Sequence, residues 1–142
     1  MRDALTVLQR IRHHKKKGAE LAFVEAERAR EKQESRVDSI ERAVEDSRER
    51  GSHEDEACWV AQAASWRMKM EVRLRQERNL LNERAQVVDD RQKDLAHASR
   101  ESRVVERIIE INDERRLLER RRKEGRRLDA MGTARWNRKG AK

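Results

Sequence analysis

The side chains best suited to hold a metal or move a proton at neutral pH are four histidines and one cysteine, and their placement argues against both uses. His13, His14, His53 and His97 are scattered along the chain, and Cys58 is alone. Zinc requires ligands converging tetrahedrally at about 2 Å. His53 and Cys58 are close in sequence but have no further ligands beside them. A lone cysteine also excludes an intramolecular disulfide and fits a reducing compartment. No glycine-rich phosphate loop or activated-serine motif occurs. The carboxylates are interleaved with arginines at helical spacing, where i,i+4 pairs on solvated faces account for them. The expectation is a chain with no catalytic residues, no metal and no cofactor.

Side chains suited to binding are more informative. Trp59 and Trp66 are seven residues apart, so a helix presents them on one face, with Met68 and Met70 nearby. They can cover the small residues Ala43 and Ser47 of a neighbouring helix, or form an aromatic and methionine patch of the kind enriched at interaction hot spots. Trp136 falls in a glycine-containing basic tail with no core to enter. Arg115, Arg116, Arg120, Arg121, Arg122, Lys123, Arg126 and Arg127 could neutralise phosphates. However, Glu114, Glu119 and Glu124 recur among them, and Ile108, Ile109, Leu117 and Leu118 lie on the same segment. A phosphate-binding helix has no need of those four apolar residues, which favour a protein partner.

The elements that must position these residues are two long helices. Between residues 57 and 118, Val60, Leu74, Leu81, Val88, Leu95 and Ile109 recur in steps of seven, with Ala63, Met70, Ala98 and Val105 three residues on. This is a heptad seam, which requires a partner helix. The partner lies upstream. After a first cluster, Leu5, Val7, Leu8 and Ile11, the steps alternate between four and three through Ala19, Phe23, Ala26, Gln33, Val37, Ile40, Val44 and Ser47. Asp3 suits an N-cap, Gly51 a left-handed helix end, and Ser52 with Asp55 a capping box. The expected fold is all-α: an antiparallel coiled-coil hairpin forming one domain, with helix one over about 3–50, a turn at 51–54, helix two over about 55–130 and a basic tail at 131–142. If Ser47 lies opposite Val60, paired positions sum to about 107, which puts Leu5 near Ser102 and His13 to Lys17 opposite Asp89, Asp90 and Asp94. The second helix then overhangs the first by about 25 residues, about 40 Å.

Composition agrees with long helices burying a narrow stripe. The chain of 142 residues is 45% charged and 35% hydrophobic, with no proline or tyrosine. Disordered chains can share that composition but rarely space their apolar residues at 3.5. No stretch approaches a membrane span. The basic first seventeen residues resemble a targeting peptide, but the apolar stripe runs through them unbroken, which points to an intact cytoplasmic protein. The net charge of +8 is uneven: residues 1–17 carry +5, residues 113–142 carry +7, and the middle is acidic. The hairpin brings both basic ends together.

The segment Arg122-Lys123-Glu124-Gly125-Arg126-Arg127-Leu128-Asp129-Ala130-Met131, followed by Ala134-Arg135, resembles the closing segment of the flagellar export family FliJ. That segment tends to read R-x-[DE]-x-K-x-x-D-E-[hydrophobic]-A-x-x-R. The start Leu5-x-x-Leu8-x-x-Ile11-Arg12 and the total length are similar too. Ala130 stands where the family usually has a glutamate. The resemblance implies a non-enzymatic stalk of the export apparatus, peripheral at the cytoplasmic face of the inner membrane and similar to the central shaft of rotary ATPases. Its implied partners are the export ATPase hexamer, entered by the open end of a monomeric hairpin; the cytoplasmic domain of the export gate, contacted nearer the turn; and export chaperones. On that basis the ring-facing residues would be Ile108, Ile109, Leu117, Leu118, Arg120, Arg121, Arg122, Arg126 and Arg127, and the gate-facing ones Trp59, Trp66 and Met70. Competing readings are a coiled-coil adaptor or chaperone that holds client helices, the stalk protein of a virulence type III secretion system, a basic nucleic-acid-binding helix, and a homodimer that shares the seam between chains.

Overall fold

The computed structural model describes residues 2–51 and 57–140, and every one of them is helical. Helix α1 runs Arg2–Gly51 and α2 runs Ala57–Gly140. Arginine, glutamate, lysine, leucine and alanine, all strong helix formers, supply most of both segments, and no proline interrupts them. The expected capping box of Ser52 and Asp55, like His53, lies outside the described residues.

Three helix boundaries differ from the sequence expectation. Asp3 is already inside α1, so it is not the N-cap residue. Gly51 is helical and has no positive φ, so it does not close α1 in the left-handed conformation. Helix α2 continues to Gly140 through Gly125 and Gly132, ten residues past the expected end. Neither glycine takes a positive φ. A single glycine costs a helix about 1 kcal/mol, too little to stop one flanked by strong formers.

The chain divides into two compact units, one made of Met1–His13 with Arg100–Lys142 and the other of His14–Ser99. Within the His14–Ser99 unit, Gln33, Val37 and Val44 of α1 and Val88 of α2 are buried, flanked by half-buried Ile40, Leu74 and Leu81. Gln33 Nε2 donates to the Glu77 carbonyl at 3.1 Å and to Glu77 Oε2 at 2.5 Å. Arg78 reaches Glu41 at 2.6 Å and Arg48 reaches Glu71 at 3.3 Å. Arg48, fifteen residues after Gln33 on α1, meets Glu71, six residues before Glu77 on α2, as an antiparallel hairpin requires. The other unit buries Ser102 and Val105 beside half-buried Leu5, Gln9, Arg12, Ile109 and Asn112, and Arg12 forms an ion pair with Glu101.

The register is displaced from the expected one. Gln33 with Glu77, Glu41 with Arg78, Arg48 with Glu71 and Arg12 with Glu101 sum to 110, 119, 119 and 113, where about 107 was expected. The shift is about one heptad. Ser47 shares a crevice with Ala63 and Trp66, not with Val60, and Leu5 shares one with Ile109 and Asn112, not with Ser102. Asp90 and Asp94 form their ion pairs with Lys93 and Arg91 on α2 itself. A seven-residue repeat looks the same after a slip of seven, so apolar periodicity alone does not choose between these alignments.

Candidate partner-binding surfaces

Among the described residues no three His, Cys, Asp or Glu side chains converge as a metal site, and no helix is long and apolar enough to cross a membrane. The sequence-derived candidates fall on two surfaces, one in each unit.

In the unit containing both chain ends, the covering of α2 stops near Arg116. Beyond it every described side chain is exposed, glycine apart, over the 24 residues from 117 to 140. At about 1.5 Å per residue this is about 36 Å of helix without a partner. Leu117 and Leu118 belong to it, and so do Arg120, Arg121, Arg122, Arg126 and Arg127. None of these five arginines forms an ion pair among the described residues. Ile109 does not belong to it, because the register shift draws this side chain into the seam, where it lines a crevice with Leu5, Thr6 and Gln9. Ile108 is exposed beside it. Trp136, expected in a non-helical tail, is a helical residue with 78% of its surface open.

Electrostatics separate the units. The unit with the chain ends carries 18 basic and nine acidic side chains, a net of +9, and the His14–Ser99 unit carries 18 and 19, a net of −1. The whole excess charge of the protein therefore sits in the former. The Arg107 guanidinium is held above its usual value by its hydrogen bond to Glu110 and by the charges of Glu110 and Glu114, so it stays protonated at any working pH.

In the His14–Ser99 unit, Trp59 and Trp66 are 57% and 38% exposed, and Trp66 lines a crevice with Ala43, Ser47 and Ala63. Trp66 thus borders the small residues it was expected to cover and keeps an open edge. Met70 is half-buried in the seam, while Met68 is exposed.

The sequence places Val7, Leu8 and Ile11 with Leu5 in one apolar cluster. Only Leu5 enters the seam; the other three are exposed. Their phase was the available signal. Leu5 is in step with Gln9 and Arg12, whereas residues 7, 8 and 11 fall outside that alternation of four and three.

No curated protein and no solved structure matches the chain. A family model described as Flagellar FliJ protein matches residues 1–141.

Proposed function

The chain belongs to the flagellar FliJ family, components of the flagellar protein-export apparatus, and we propose that it acts there as a non-enzymatic coiled-coil stalk that links the export ATPase ring to the export gate and promotes ATPase activity or assembly. One observation carries this reading. α2 outruns its partner helix by 24 residues, and the uncovered length presents Leu117, Leu118 and unpaired arginines in the unit that holds all the excess charge.

The physical argument starts from what such a segment can do. An arginine-rich helix without internal ion pairs is steered into an acidic, low-dielectric cavity such as a ring lumen, and its leucines supply contact area on arrival. A stalk inside a hexamer meets similar subunits in changing orientation, so a single charged helix suits it better than a deeply keyed interface. Trp59, Trp66 and the half-buried Met70, with the exposed Met68 beside them, form the matching surface for the gate in the other unit. In this reading the protein is held at the cytoplasmic face of the inner membrane by those partners.

The test is charge reversal. Replacing Arg120, Arg121 and Arg122 together with glutamate should abolish stimulation of the purified ATPase and co-sedimentation with the ring, while the far-ultraviolet helical signal persists. Undiminished stimulation and undiminished ring binding by that variant would sink the proposal.

A further inference from the structure

Outside the seam, the unit containing the chain ends exposes a second set of apolar side chains. Leu8 and Ile11 of α1 and Val104, Ile108, Ile111 and Leu118 of α2 are exposed or half-exposed; Ile11 is 48% open, Ile108 42% and Leu118 52%. The first five share a positional rule, because each immediately precedes a seam residue: Gln9, Arg12, Val105, Ile109 and Asn112, respectively. Thr6 and Asp113 immediately follow seam residues, and they line one crevice together. In an antiparallel pair, residues that follow the seam share one edge and residues that precede it share the other. Leu8 and Ile11 therefore border the same edge as Val104, Ile108 and Ile111. They also lie at the same level, since 8 with 108 and 11 with 104 sum to 116 and 115, close to the 113 of the Arg12–Glu101 pair.

This edge has the form of a groove between two helices with an apolar ridge on each bank. The α2 bank steps by four, three, four, three and four through Val104, Ile108, Ile111, Arg115, Leu118 and Arg122. That spacing matches the stripe of a third helix laid alongside. The charge on the bank indicates what the third helix carries. Arg115 and Arg122 interrupt the stripe and form no ion pair among the described residues, and Glu101, on the same edge, is already engaged by Arg12. A second copy of this chain would bring a unit of net +9 against another of net +9. We propose that this edge docks an acidic amphipathic helix of a partner protein, with its apolar stripe between Leu8 and Ile108 and its carboxylates against Arg115 and Arg122. This surface overlaps the uncovered 117–140 segment at Leu118 and Arg122, but its two-helix part, Leu8 and Ile11 facing Val104, Ile108 and Ile111, lies outside that segment, so the proposal stands without the ring-entry reading.

The experiment uses the full chain and a labelled synthetic helix with a leucine heptad stripe flanked by glutamates, compared with the same peptide carrying lysines in their place. The acidic peptide should bind in an anisotropy titration and the basic one should not. Ile11→Gln combined with Val104→Gln should weaken the acidic peptide about tenfold or more. Asp113→Ala, on the opposite edge, should leave binding unchanged, which guards against a general folding defect. Equal binding of the two peptides, or insensitivity to the Ile11 and Val104 pair, would overturn the proposal. So would the loss, in that pair of substitutions, of self-association or of anionic-vesicle binding in place of peptide binding. ATPase stimulation should survive the Ile11 and Val104 substitutions, so failure of this proposal and failure of the stalk reading give different patterns.

Discussion

Arg30 occupies a seam position on α1, in step with Gln33 and Val37, and its Nε is buried without a hydrogen-bond partner. A buried donor left unpaired forfeits its hydration with nothing in return. Arg30→Met keeps the aliphatic stem and removes the donor, so it should stabilise the hairpin by about 1 kcal/mol, read as a higher urea midpoint at an unchanged slope. A lowered midpoint would show that the other guanidinium nitrogens contribute more than the desolvation costs. Gln33 differs, because both the carbonyl and the carboxylate of Glu77 accept from it. A polar seam residue that is satisfied in only one alignment can specify register at some cost in stability. The sequence marked Gln33 as a seam residue through its spacing, but nothing in the sequence pointed to Glu77 as its acceptor.

At the scale of the helix, α2 crosses Gly125 and Gly132 and continues past the expected end near residue 130. A methyl group added at Gly132 meets nothing within 4 Å. Gly132→Ala should therefore stabilise the last turns of α2 by about 0.5–1 kcal/mol, through the reduced freedom of the unfolded chain and the better helix propensity of alanine. Slower amide exchange over residues 126–140, with the rest of the chain unaffected, is the expected signature. No change there would mean that the uncovered end is frayed for reasons other than glycine. The helices themselves were legible because they are local: formers, the lack of proline and a 3.5-residue spacing suffice. The register was less so, and Ile109 marks the cost of that. Aligned one heptad away it belongs to a free surface, yet in the structure it is half-buried in the seam.

For the whole molecule, the uneven charge yields the remaining predictions. If the 117–140 segment enters an acidic site, its association should weaken steeply as salt rises from 50 to 300 mM, since exposed charges are screened over about 10 Å at 0.1 M. A flat salt response in ring co-sedimentation would contradict an electrostatic entry. The proposed gate surface should respond little to salt, because the exposed Trp59 and Trp66 would bind by area and aromatic contact. Changing both to alanine should reduce gate binding at least about tenfold while leaving ring stimulation intact. Retained gate binding with helicity preserved would remove the tryptophans from that surface.

The linear chain specified two helices, the stripe along which they pair, the antiparallel sense of that pairing, the basic character of both ends and the family to which the protein belongs. Each of these rests on local spacing, on composition or on a short motif, and none requires knowing which residue faces which. Only the folded hairpin decided that Ile109 is covered, that α2 stays helical to Gly140, and that Leu8 and Ile11 share an edge with Val104 and Ile108. The physical reason is the degeneracy of a heptad. Its repeat defines a face with precision but leaves alignment open to slips of seven, and the free energies that resolve them come from long-range pairs such as Gln33 with Glu77 and Arg12 with Glu101.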